Sequence, residues 1–516
     1  RMSDAKFKLR NWPYLAIKLA LFGYQTGLIW LSKRRLEMRG PLDEFYNYDA
    51  TGLAELVSKG EVTAEELLEV VIKRIETVNP KLNAIEQRNY ELARERARKG
   101  LPKGPFSGVP SFVKANTDFP GFSTTWNSKG FADAPVVTQP SPFAERCIEA
   151  GLNIVGKTCL PEFAYNTHTE SRLTGRTRNP WDPSLTTGGS SGGTAALVAS
   201  GVVPMAHGTD GGGSLRIPST HCHTLGFKTS VGRHVSTQLA EPTIRETQSN
   251  QFITRSVRDL ARSFALVEQR GDNATYPELG FISGPSSKRL KIAVATKTED
   301  GLSADADVLD VVMRTAELCR QMGHEVGELD CVPYSANELL EHKFMDFISV
   351  LTQGIAANFE KMHGRPVADG DFEALGMYYL NMLPDDPDAA MKGVWEYVDK
   401  VSDAFDKHFE SYDLILTPTV PVAPKEAADR SIESLDPEGL LPYAYRDMRF
   451  LAFANLTGHP TISVPAGFSW DGLPVGVNFI AAKGAEAKQL SIAYELEEEL
   501  KWASYWPRIS VATAGS

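Results

Sequence analysis

Serine and lysine carry the chemistry that this chain of 516 residues offers. Thr186 to Gly193 reads TTGGSSGG and Gly208 to Pro218 reads GTDGGGSLRIP, so Ser190 and Ser214 stand 24 positions apart, each wrapped in glycine. Glycine–serine runs are usually flexible linkers between polar flanks. The stretch between these two, TAALVASGVVPMAH, is apolar, so both loops must leave a buried core. A serine hydroxyl is a poor nucleophile at its own pKa and needs an adjacent base. Lys114 closes the short apolar run SGVPSFVK. Lysine serves as a base only where desolvation keeps it neutral, and Phe112 and Val113 are neighbours suited to that.

Two other serine-hydrolase patterns compete for the same residues. Gly188 to Gly192 satisfies G-x-S-x-G, the nucleophile elbow of α/β-hydrolases, but loop rather than strand precedes it and the chain has 42 glycines. An elbow also needs a later acid and a histidine; His324, His342, His363, His408 and His459 are available, none in a distinctive setting. Ser111-Phe-Val-Lys114 satisfies the S-x-x-K of penicillin-recognising enzymes, with Lys228-Thr-Ser230 as a distant K-T-G. Ser111, however, lies in a strand-like stretch and not at a helix start. Lys157 and Lys228 are rival lysines.

Taken together and in order, VPSFVKAN, GGSSGGTAALVASG and GTDGGGSLRIP resemble the amidase signature family. The resemblance extends to LVSKGEVTAEELLEVVIKRIETVNPKLNA, LPEFAYNTHTESRLTGRTRNPWDP and NLTGHPTISVPAGFSWDGLPVGV, and so covers most of the chain. It implies an α/β fold with a central mixed sheet covered by helices on both faces, one large domain with a helical substrate-side region, and no metal or organic cofactor. Ser214 then matches the nucleophile, Lys114 the base, and Ser190 the bridging serine that relays the proton and follows a cis peptide bond. Gly211, Gly212, Gly213 and Ser214 match the oxyanion hole, whose N–H groups face the oxygen that becomes negative. Ser191 matches a supporting serine, and Asp210 with Arg216 a structural pair that holds the loop. Gly211 and the stretch HCHTLGFKTS depart from the common pattern at positions that bear on substrate size; His221 and His223 bear on the pocket or on helix packing. The nearest style is that of free-standing bacterial amidases acting on nylon oligomers, aryl amides and carbamates. The amidase subunit of a tRNA-dependent amidotransferase and an inactive membrane-associated relative are the alternatives.

The elements that position these residues follow from periodicity. Thr63-Ala-Glu-Glu66 is a capping box opening an amphipathic helix that is expected to end at Asn79-Pro80. Strands are expected at 107–114, 153–158 and 202–206, helices at 142–150 and 192–200, and a mainly helical region at 337–410. That region, with loops near 121–135 and 440–455, is expected to line the pocket. Phe112, Phe119, Phe122, Trp126 and Tyr165 predict an apolar or aromatic substrate, a small-molecule amide, carbamate or ester. A net charge of −11 argues against nucleic acid as a partner. Five cysteines without close pairing suit a reducing, cytoplasmic compartment. Residues 1–40 form a separate hydrophobic segment ahead of a catalytic domain at 41–516. Within it Pro13 to Ser32 carries a narrow polar stripe, which predicts an amphipathic helix docked on the body or on a second protomer in a homodimer. A membrane-surface contact, peripheral to a bilayer, is the competing reading. No small-residue cleavage site follows this segment and a basic triplet does, so a cleaved signal is not expected.

Overall fold

A computed structural model describes residues 41–239, 246–427, 431–432 and 436–515; the expected helix at Pro13 to Ser32 lies outside the described residues. Eleven strands form a mixed sheet in three hydrogen-bonded pieces. The first has the order β1 (Ile85–Arg88), β3 (Asn153–Thr158), β2 (Pro110–Lys114), with β2 and β3 parallel. The second is the antiparallel pair β4 (Met205–Asp210) and β6 (Ser249–Thr254). The third runs β8 (Glu325–Glu328), β7 (Lys291–Val294), β9 (Leu414–Pro418), β11 (Pro474–Ala481), β10 (Thr461–Phe468), β5 (Gly226–Lys228). Ser111 Oγ donates to Met205 O at 2.8 Å between the first two pieces, and a Leu225–Thr254 bridge joins the second to the third.

Alternation along the strands explains why helices cover both faces. Ile292, Val294, Leu414 and Leu416 pack with the helices α5 (Val257–Val267), α6 (Ala306–Gln321) and α12 (Glu486–Leu500). Their neighbours Ala293 and Ile415 face the opposite way, against α7 (Phe344–His363), α9 (Pro387–Phe409), α10 (Pro437–Met448) and α11 (Ala452–Thr457). Of these, α7 and α9, with α8 (Ala374–Asn381), make up the helical region expected at 337–410. The small helix α3 (Gly192–Ala199) is buried along its whole length and packs on Leu68, Val71, Ile75 and Val78 of α1 (Ala64–Leu82).

Three boundaries differ from expectation, the simplest being the strand expected at 107–114, which begins only at Pro110. The capping box of Thr63 and Glu66 opens α1 as read, but the helix passes through Pro80 and closes at Asn83, whose backbone is left-handed and whose N–H reaches Asn79 O at 2.8 Å. Proline here forfeits a single N–H one turn from the end, where little helix remains to lose. The strand expected at 202–206 is β4, displaced three residues, because Pro204 has no N–H to give a ladder. Pairing runs from Met205 opposite Thr254 to Asp210 opposite Ser249, so the polar residues His207, Thr209 and Asp210 are strand residues, and buried. The helices α2 (Pro142–Glu149) and α4 (Arg216–Cys222) complete the frame of the site. Among the described residues no helix is long and apolar enough to cross a membrane, and no group of three or more His, Cys, Asp or Glu side chains is placed to hold a metal ion.

Candidate active site

Three elements bring the expected residues together. Strand β2 delivers Lys114 at its end, the N-terminal approach to α3 carries Ser190 and Ser191, and the turn from β4 into α4 carries Ser214. Lys114 and Ser190 are fully buried, and Nζ lies 2.7 Å from Ser190 Oγ. Two oxygens of Thr209 complete the surroundings of Nζ, Oγ1 at 3.1 Å and the carbonyl at 3.4 Å. A neutral amine has two N–H groups and one lone pair. When the amine is neutral and donates both N–H groups to Thr209, its lone pair is left for Ser190. Asn116 Nδ2 donates to Thr209 Oγ1 at 3.0 Å and holds that hydroxyl in place. The Gly189–Ser190 peptide is cis.

Ser191 ties the two serine loops to each other. Its N–H donates to Ser214 O at 3.2 Å and its Oγ to Thr209 O at 3.1 Å. Ser214 is 9% exposed, and its Oγ has no hydrogen-bond partner among the described residues. Asp210 and Arg216 form a fully buried pair with contacts of 2.7 and 2.9 Å. Arg216 also donates to Leu451 O, Thr461 Oγ1 and Asn455 Oδ1, so every branch of the guanidinium is engaged. Asp210 in turn accepts from the N–H groups of Gly213 at 2.8 Å and Leu215 at 3.0 Å.

This corrects one expectation about the oxyanion donors. The Gly213 N–H is taken by the Asp210 carboxylate, a strong charged acceptor, and is not free for a substrate oxygen. The N–H groups of Gly211, Gly212 and Ser214 have no partner among the described residues. Gly213 serves by its backbone: at φ 128° it is left-handed, and a Cβ there would stand 2.9 Å from Ile217 Cδ1.

Burial dominates the electrostatics. It lowers the Lys114 pKa to about 7, against a smaller upward pull from the Asp210 charge. Burial opposes charge on Asp210 too, but the Arg216 guanidinium and its hydrogen bonds outweigh it and hold the carboxyl below its ordinary value. The rival lysines sit elsewhere. Lys157 donates to Ser123 O at 2.7 Å and Lys228 to Ala454 O and His459 O, and neither lines the cavity beside the serines. Ser111 is buried in β2 away from that cavity, and none of His324, His342, His363, His408 and His459 lines it.

The cavity, of about 270 Å³, is lined on one side by Ser190, Thr209, Gly211, Gly212 and Ser214. Its apolar wall is Phe163, Tyr165, Phe344, Phe347, Ile348, Leu351, Tyr379 and Met448. Of the five aromatics expected to contact substrate, Tyr165 alone is present. Phe112, Phe119 and Phe122 are core residues, turned away into the packing of helices on the sheet. Trp126 and the 121–135 loop line a separate cavity with Ile355 and Met362, on the far end of α7. The 337–410 region contributes as expected, while residues 440–455, expected as a loop, lie mostly in α10 and α11 and contribute Met448. Residues 236–238, 246–248 and 250, which also line the cavity, were not anticipated, nor were Thr209 and Asn116 as holders of the lysine. Both sit inside the quoted motifs, in GTD and KAN, so position in a motif was the available signal. His223 stacks on Phe468 with centroids 4.7 Å apart and lies edge-on to Trp181; neither it nor His221 lines the cavity.

Comparison with known proteins adds to this geometry. The family model described as Amidase matches residues 66–490. The AmiC protein of Mycobacterium leprae is 33% identical over 476 residues, covering 89% of this chain and 97% of its own. The structure of a 6-aminohexanoate cyclic dimer hydrolase complexed with substrate superposes with a TM-score of 0.82 at 28% identity, over 90% of this chain and 99% of that one. A bacterial aryl acylamidase of the amidase signature family gives 0.79 at 27% identity, over 89% and 97%.

Proposed function

Since the chain belongs to the amidase family, we propose that its hydrolysis of carbon–nitrogen amide bonds runs through an acyl-enzyme on Ser214, with Lys114 as base and Ser190 as proton relay. The observation that carries this reading is Lys114 Nζ held 2.7 Å from Ser190 Oγ in a fully buried setting, with its pKa lowered to about 7. Ser214 Oγ attacks the carbonyl carbon while its proton passes to Ser190 Oγ and that of Ser190 passes to Lys114 Nζ. The N–H groups of Gly211, Gly212 and Ser214 receive the tetrahedral oxyanion. Collapse breaks the C–N bond, and the amine leaves with the proton returned from Lys114 through Ser190. Water then enters by the same relay in reverse, releasing the acid and restoring Ser214.

The apolar wall of the cavity supports small-molecule amides and carbamates with an apolar or aromatic group beside the scissile bond. Cys147, Cys159, Cys222, Cys319 and Cys331 are all free thiols, in keeping with a reducing, cytoplasmic setting. Ser214→Ala is expected to abolish hydrolysis with the fold intact, and a fluorophosphonate to label the parent protein once, at Ser214. Labelling at Ser190 instead would overturn the assignment.

A further inference from the structure

Two polar atoms in the cavity are left unused by this reaction. Asn166 and Asn250 both line it and are 7% and 6% exposed. Asn166 Oδ1 accepts from the His168 N–H at 3.1 Å, which fixes the amide so that Nδ2 is its free end; that nitrogen is buried without a partner among the described residues. Asn250 has the opposite arrangement. Its Nδ2 donates to Val235 O at 2.9 Å, and Oδ1 is the buried atom without a partner.

The backbone places both residues beside the reacting groups. A Cβ on Gly189 would lie 2.7 Å from Asn166 O, so Asn166 packs directly against the Gly189–Ser190 peptide. Asn250 is the cross-strand partner of Thr209, and residues directly opposite in a ladder share one face. Thr209 is the residue that holds Lys114. The cavity therefore offers one unpaired donor and one unpaired acceptor close to the relay. A buried polar atom left unsatisfied is costly, and a ligand that completes its hydrogen bond removes that cost on binding.

A secondary amide presents one acceptor and one donor. We propose that Asn166 Nδ2 and Asn250 Oδ1 recognise a second amide group of the substrate, so that the enzyme favours molecules carrying at least two amides: one to be cleaved, one to be held. This rests on the reading of Ser214 as nucleophile for which amide is cleaved.

The test is a series of α,ω-diamides with spacers from two to six methylenes. Each is paired with the mono-amide in which the second –CO–NH– is replaced by –CH2–CH2–. For the best spacer the parent enzyme is expected to show kcat/KM at least about tenfold higher for the diamide, because a site built to pair polar groups rejects the analogue that lacks them. Asn166→Ala and Asn250→Ala are each expected to lower that ratio by roughly fivefold or more. Equal loss on both members of a pair would mark the residues as structural and overturn the proposal. A parent ratio near one at every spacer would overturn it without any variant, and would mean that water alone satisfies the two atoms. Calorimetric binding of each pair to Ser214→Ala reads recognition without turnover. Tighter diamide binding there, with no hydrolysis by the parent, would sink the acyl-enzyme reading and leave this one standing.

Discussion

Lys114 is the residue on which the chemistry turns, because burial gives it a pKa of about 7 where a free lysine stays charged. The base form is the neutral amine, so its fraction rises with pH. Below about pH 7 the acylation rate is expected to climb close to tenfold per pH unit, and above it to level off. Lys114→Ala should lower acylation by on the order of a thousandfold or more, and Lys114→Arg should do little better, since guanidinium cannot give up its proton at a workable pH. Single changes of His324, His342, His363, His408 and His459 to Gln should leave substantial turnover, because none of them reaches the cavity. A histidine variant as damaging as Ser214→Ala, alongside active Lys114 variants, would point to a Ser-His enzyme. The same burial has a cost in stability. Lys114→Met keeps the apolar stem and removes the desolvated ammonium, so at pH 6 it should raise the melting temperature while destroying activity.

At the scale of elements, the turn from β4 to α4 depends on a buried ion pair. Asp210 holds the N–H groups of Gly213 and Leu215, and Arg216 carries the turn across to Leu451, Asn455 and Thr461. Arg216→Met would strand a buried carboxylate with no countercharge. Unfolding in denaturant should show a loss of about 3–5 kcal/mol, and activity should fall with it because the Gly211 to Ser214 backbone is no longer fixed. A stability change under 1 kcal/mol would mean that the pair is replaceable by its remaining hydrogen bonds. How much of this was legible in the sequence depended on the kind of signal. Capping boxes, prolines at helix starts and fused glycine motifs are local, and they located α1, α2, α3 and the two serine loops. The route of β4 was misread because three of its residues are polar, and their burial depends on partners such as Lys114 and Arg216 that are distant in sequence. Which aromatics face the cavity was not legible either. Phe112, Phe119 and Phe122 are near matched motifs in sequence, but strand pleat and helix packing turn them into the core. Phe344, Phe347 and Ile348 reach the cavity because α7 crosses over it, a tertiary fact with no local mark.

At the scale of the whole molecule, the question is what residues 1–40 add to the catalytic domain proposed at 41–516. The family match spans residues 66–490 and contains Lys114, Ser190 and Ser214, all of them beyond the N-terminal segment. The described chain is also anchored near its start, where the Leu42 N–H donates to Val511 O at 2.7 Å and Arg74 binds Asp43 through two contacts of 2.6 and 2.7 Å. Removal of residues 1–40 should therefore leave kcat/KM for a small soluble amide within about threefold of the parent. Sedimentation, co-pelleting with vesicles, and turnover of bulky apolar amides are the properties expected to respond, since Pro13 to Ser32 carries the longest apolar run ahead of the catalytic body. A truncated protein that unfolds cooperatively at the parent's temperature but has no activity on any amide would show that the segment builds the site, and that the catalytic unit does not begin at residue 41.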